Sequence, residues 1–202
     1  MNNARLMRLL SVLAVALLLG WLLLLVLSWL LSAALPGSAR SLLSGEGIRW
    51  FFGSFSQMVA SSSLVWLLLL LSAWGCLRSS GLQSAVGRRR ALPYRERIAL
   101  RVSFAFIVIY VVILSLLVLM PHAILLSASG RLFPSAFSRA LVPSVAFGLC
   151  LASVSFGVVS GRLPSLPAVL RSLSVGLSDG SPFIILYILL IQFIESLRFV
   201  FG

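Results

Sequence analysis

Apolar residues run through this chain in long blocks, and the breaks between the blocks are short and polar. Taken in order, uninterrupted apolar stretches cover about 9–34, 59–77, 100–120, 137–160 and 182–200. Each is close to the roughly 20 residues needed to cross a bilayer's hydrocarbon, where only a helix satisfies its own backbone over that length. The pattern predicts five membrane-spanning helices. The first, Leu9 to Leu31, follows Arg5 and Arg8 and precedes Ser32-Ala33-Ala34. It is longer than the apolar core of a cleaved signal peptide and reads as a retained span stopped at Pro36-Gly37.

Two stretches have a different grammar. Arg49 to Ser63 is a basic residue, an amphipathic segment and a break of small hydroxyl residues, and it leads into the apolar run Leu64 to Trp74. Arg171 to Gln192 repeats this, with a break expected at Asp179-Gly180-Ser181-Pro182 before the last apolar run. Amphipathic pieces at about 45–58 and 164–178 would lie in the membrane interface. Spans one and two with the first piece, and spans four and five with the second, form two units (1–77 and 137–202). The Arg-rich segment 78–101 and a connecting region 102–136 join them, within one transmembrane domain over 1–202. The third span turns the second unit over, which makes an inverted-topology repeat of the kind many secondary transporters use. The expected fold class is therefore an all-α integral membrane protein with about five transmembrane helices and two interfacial amphipathic helices in an inverted-repeat arrangement.

Composition agrees. Of 202 residues 60% are hydrophobic and only 10% charged, against about 25% charged in soluble domains, and the mean hydropathy is +1.13. The net charge of +12 comes from sixteen Arg and no Lys against four acids. Scattered between apolar runs, these Arg show no groove-reading motif, so nucleic-acid binding is not expected. They act as topology anchors instead. With the N-terminus cytoplasmic, Arg5, Arg8, Arg78, Arg88, Arg89, Arg90, Arg95, Arg97, Arg101, Arg162 and Arg171 fall inside. Arg40, Arg49, Arg131, Arg139 and Arg198 fall outside. That asymmetry predicts a multi-pass protein of a bacterial inner membrane with N-terminus in and C-terminus out. Arg88, Arg89, Arg90, Arg95 and Arg97 could also hold an anionic lipid headgroup or an acidic partner.

Span four carries small residues at helical spacing: Ser144, Gly148 and Ala152 in one row, Ser153, Gly157 and Gly161 in an adjoining one. In lipid, small residues let another backbone approach closely, so this span should be a buried helix or the contact of a homo-oligomer or membrane complex. Span three, β-branched and aromatic from Phe104 to Leu119, should face lipid.

The four acids admit short readings. Glu46 precedes Arg49 by three residues, as a helical pair or a first-turn charge. Asp179 should cap span five, with Pro182 in its first turn, or else coordinate an ion with Ser181 and the Ser62 region. Glu195 and Arg198, next to Gln192, form a structural pair or a proton-coupling site, since an ionisable residue inside a span costs about 2.5–3.5 kcal/mol to insert. His122 follows Pro121 as a solvated loop residue. Cys76 and Cys150 fall at different depths and have no CxxC partners, so neither a disulfide nor a metal cluster is expected. Gly45-Glu-Gly47 and Gly53 lack a dinucleotide turn's context, and no hydrolase triad or P-loop is present, so neither a cofactor nor enzymatic activity is expected.

Five stretches carry a family resemblance. They are Leu43-Ser-Gly-Glu-Gly-Ile-Arg-Trp-Phe-Phe52 leading to Ser80-Gly-Leu82, then Tyr94-Arg-Glu-Arg97, Leu141-Val-Pro143, and Pro182 to Phe193 with its Gln192-Phe193 ending. In that order they resemble the p-aminobenzoyl-glutamate transporter (AbgT) family. The resemblance implies a transporter scaffold but also two departures. Family members are more than twice this length. A re-entrant hairpin block rich in Ser, Asp and Gly should follow the counterpart of Ser80-Gly-Leu82, where this chain has only Gln83 to Pro93, and a second block should follow the counterpart of span five. No substrate or ion residue carries over from the family. The resemblance implies a scaffold-only relative, a non-catalytic membrane subunit acting through helix–helix assembly. The alternative is a minimal oligomeric ion-coupled transporter of small organic anions, aminobenzoyl-glutamate-like solutes or drugs.

Overall fold

A computed structural model describes residues 3–34, 39–87, 93–119 and 136–202, the side chains of Asn3 and of 118–139 excepted. Pro36-Gly37, Arg88, Arg89, Arg90, Pro121, His122, Arg131 and the side chain of Arg139 lie outside the described residues. The fold is all-α. In chain order it has α1 (Asn3–Ala34), α2 (Gly45–Val59), α3 (Ser62–Ser80), α4 (Leu82–Gly87), α5 (Tyr94–Leu119), α6 (Ala136–Ser160) and α7 (Leu166–Phe201). Helices α1, α3, α5, α6 and α7 are long and apolar enough to cross a membrane. The described residues of the segment 78–101 hold the end of α3, the short α4 and the first turns of α5.

One expected break exists and the other does not. Helix α2 is capped by Ser44, whose hydroxyl accepts from the Gly47 N–H at 3.0 Å, and Glu46 in its first turn complements the helix dipole. It ends at Ala60 and Ser61, and α3 starts at Ser62. In the second half, α7 runs unbroken for 36 residues, about 54 Å at 1.5 Å per residue, with Pro182 in its interior. The amphipathic piece is thus the beginning of the spanning helix. Asp179 does not cap span five; it sits mid-helix, with its carboxylate 3.2 Å from the Arg78 guanidinium. The reason is packing against α3. Leu71 and Gly75 sit on Gly176, and the Leu71 side chain lies over Gly180. The glycine that reads as a breaker is the bare surface on which α3 rests, and those contacts offset weak helix propensity.

The chain divides into two compact units, one of Met1–Val65 with Ser181–Gly202 and one of Trp66–Gly180. In the first, Leu24, Leu42, Phe199 and Val200 form the core. The Arg40 N–H donates to the Val200 carbonyl at 3.0 Å, the Leu42 N–H to the Ser28 hydroxyl at 3.2 Å. Trp50 stacks on Phe199 with ring centroids 4.4 Å apart, and Phe51 meets Trp21 at 5.7 Å. These contacts seat the inner face of α2.

In the second unit α5 packs along α6. The Tyr110 hydroxyl donates to the Ser144 carbonyl at 3.0 Å, with Gly148 beneath its ring, and the Ser103 hydroxyl donates to the Ala152 carbonyl at 3.1 Å. The row Ser144, Gly148, Ala152 therefore faces α5 of the same chain. Of the adjoining row, Ser153 is buried, Gly157 lies against the Leu163 side chain and Gly161 against the Arg95 guanidinium. Helix α5 is two-sided: Ala99 and Ser103 are buried, while Phe104, Ile109 and Val112 remain exposed.

Candidate functional site

Several polar side chains sit inside the membrane-spanning segments, where each needs a partner or a reason. In the first unit they gather on α7. Gln192 is 7% exposed, and neither its amide oxygen nor its amide nitrogen has a hydrogen-bond partner among the described residues. One turn later Ser196, fully buried, accepts from the Trp21 indole N–H at 3.2 Å. Between them Phe193 lies over Gly20 of α1, where the missing side chain lets the ring settle. An unpartnered buried amide costs on the order of 1–3 kcal/mol, and it presents a donor and an acceptor in apolar surroundings.

A second polar contact lies at the joint between α2 and α3. The Ser61 hydroxyl is hydrogen-bonded to the Tyr187 phenol of α7. The Ser61 carbonyl also accepts the first turn of α3, from Leu64 N–H at 3.1 Å. This serine, rather than its neighbour Ser62, holds the joint; Ser62 opens α3 and is exposed. Toward the end of α7, Arg198 donates to Glu195 at 2.7 Å one turn apart, and the arginine is 72% exposed. Ser181 is an exposed residue of α7.

The second unit holds the remaining charged pairs. Arg162 donates to Glu96 at 2.9 Å and lies over Gly81, the residue with φ +76° that ends α3. Arg95 donates to the Val159 carbonyl at 3.3 Å and covers Gly161, with φ +80°, which ends α6. Each guanidinium thus sits at a helix C-terminus, where cations are favoured. Arg97 shares the first turns of α5 with Arg95 and Glu96. Asp179 is held by Arg78, which also lies over the Trp74 ring at 5.5 Å.

Gln192 and the Glu195–Arg198 pair share the last part of α7, as their spacing requires. Ser61 belongs to the predicted break of small hydroxyl residues before α3, while Tyr187, Trp21 and Ser196 were not expected from the sequence. For Ser196 the signal was present, four residues after Gln192 on the same helical face. Nothing local marks Tyr187, an aromatic residue in an apolar run, as the partner of Ser61.

No protein-family model and no curated protein matches the sequence. Among solved structures, the Alcanivorax borkumensis YdaH transporter, whose structure is described as having an unusual topology, is similar with a TM-score of 0.76. The match covers 93% of this chain and 70% of that one at 16% identity. At that identity the likeness is one of fold. The chain is a multi-pass membrane protein with the fold of the AbgT-family YdaH transporter.

Proposed function

We propose that this chain is a non-catalytic membrane subunit, a transporter-type scaffold that works by assembling with other membrane proteins. One observation carries the reading. Where the AbgT resemblance implies a re-entrant hairpin block after α3, the chain has only the thirteen residues 81–93, the short α4 among them, before α5 begins at Tyr94. Polar groups that a transport site would use are also engaged internally: Asp179 by Arg78, Glu195 by Arg198, Ser61 by Tyr187. Because the small residues of α6 are covered within the chain, assembly would use other exposed helix faces, such as that of α1 with Leu19, Leu23 and Val26. The Arg distribution supports an inner-membrane location with N-terminus in and C-terminus out, and Arg88, Arg89, Arg90, Arg95 and Arg97 near anionic headgroups. The test is purification from native membranes in mild detergent with stoichiometry by native mass spectrometry. A second membrane protein or a further copy in fixed ratio is the expected result; a lone monomer would overturn the proposal.

Gln192 favours a second reading, a minimal oligomeric transporter of small organic anions, aminobenzoyl-glutamate-like solutes or drugs. A buried amide with both atoms unpartnered is the kind of group a translocated solute engages. Proteoliposomes of the purified chain decide it. Solute flux lost in Gln192→Leu and altered in Glu195→Gln would favour transport, and no flux with any such solute would exclude it.

A further inference from the structure

Helix α2 has two faces, and only one is used. Gly47, Trp50 and Phe51 face the chain. A Cβ at Gly47 would meet the Leu42 carbonyl oxygen at 2.6 Å, Trp50 is stacked on Phe199, and Phe51 lies near Trp21. The opposite face holds a shallow, open groove lined by Gly45, Ile48, Arg49, Phe52 and Gly53. Phe52 is 77% exposed, and Ile48 and Phe55 are exposed beside it.

Spacing divides this outer face lengthwise. Ile48, Phe52 and Phe55 fall on one flank, and Arg49, Gly53 and Ser56 on the other, at 100° per residue. Arg49 lies between Gly45 and Gly53 at intervals of four, and a Cβ at either glycine would meet nothing within 4 Å. Both sides of the guanidinium's helical position are therefore open. Glu46 falls on the side of Arg49 away from Phe52, and among the described residues no acid pairs with Arg49.

We propose that this groove binds an anionic phospholipid of the surrounding bilayer, with its phosphate on Arg49 and an acyl chain along Ile48 and Phe52. The guanidinium fork matches phosphate oxygens, while an apolar flank beside it matches the hydrocarbon just below the headgroup. Charge selects this occupant over a second copy. The chain has sixteen Arg to four acids, and three of those acids, Glu96, Asp179 and Glu195, are paired with its own arginines. A second copy would have only Glu46 left to meet Arg49, whereas every anionic lipid at the interface offers a phosphate. The proposal uses none of Arg88, Arg89, Arg90, Arg95 and Arg97 and does not rest on the assembly reading.

The experiment uses the full chain in nanodiscs containing photoactivatable phosphatidylglycerol or phosphatidylcholine, with crosslinks mapped by peptide mass spectrometry. Phosphatidylglycerol should label residues 45–56 over phosphatidylcholine by roughly fivefold, the contribution of one Arg near an anionic surface. Arg49→Gln should abolish that preference, Arg49→Lys should retain most of it, and Gly53→Leu should lower labelling by filling the groove. Arg171→Gln, at an exposed position elsewhere on α7, should leave it unchanged. Equal labelling by the two lipids, a preference that survives Arg49→Gln, or crosslinks from 45–56 to another copy in place of lipid would each overturn the proposal.

Discussion

Gly75 of α3 and Gly176 of α7 meet backbone to backbone, so closely that a Cβ added to either would collide with the other's main chain. Between helices in lipid there is no hydrophobic driving force, so close van der Waals contact and short polar contacts supply the attraction. Beside this crossing, Cys76 and Ser172 bring their Sγ and Oγ within 3.5 Å.

Gly75→Ala and Gly176→Ala should therefore each lower stability by about 1–3 kcal/mol, the usual cost of overpacking a close contact. Thermal unfolding in detergent, followed by circular dichroism, measures it. Gly53→Ala, at a position with open space, is the matched control and should change little. If all three behave alike, the crossing is not as tight as the geometry states.

Gln192→Leu should raise stability or leave it unchanged. Both amide atoms are buried without partners, and replacing such a group by an apolar one of similar size removes a penalty of about 1–3 kcal/mol. A clear loss of stability in the same unfolding assay would mean that the amide is satisfied in the membrane.

Ser61 and Tyr187 should be coupled. In a double-mutant cycle, Ser61→Ala and Tyr187→Phe should show an interaction energy of about 0.6–1.7 kcal/mol, the range of hydrogen bonds between membrane helices. Additive effects would show that the joint between α2 and α3 is held by other contacts.

Gly161→Ala should cost about 1–2 kcal/mol, because its φ of +80° is left-handed and disfavours any residue with a Cβ. The added methyl would also lie 2.8 Å from an Arg95 nitrogen and displace the guanidinium from the end of α6. Arg95→Gln should by itself cost less, since that side chain is exposed. A melting-temperature series of the three variants, including the double, separates backbone strain from the lost cap.

Much of the fold is legible along the chain because its signals are local. A run such as Leu64 to Trp74 has one stable form in hydrocarbon, and Ser44 three residues before Gly47 states a helix start without help from distant residues. The candidate site is legible only in part. Gln192, Glu195 and Arg198 attract notice because polar residues in apolar runs are few. Whether Gln192 has a partner depends on what lies across from it, and the identity of Tyr187 as the partner of Ser61 depends on residues 126 positions apart.

What the order of residues determined is the number of spans, the amphipathic α2 before α3 and the break between them, since each depends on composition within one or two helical turns. Tertiary structure decided how α7 passes Asp179 to Pro182 and which way the small residues of α6 face. Gly and Pro weaken a helix by about 1 and 3 kcal/mol, amounts that contacts from a neighbouring helix can offset. Leu71, Gly75 and Arg78 of α3 supply such contacts to Gly176, Asp179 and Gly180, and Tyr110 of α5 covers Gly148. A glycine in lipid is a weak point or a docking surface according to whether another helix lies against it, and that information is not local.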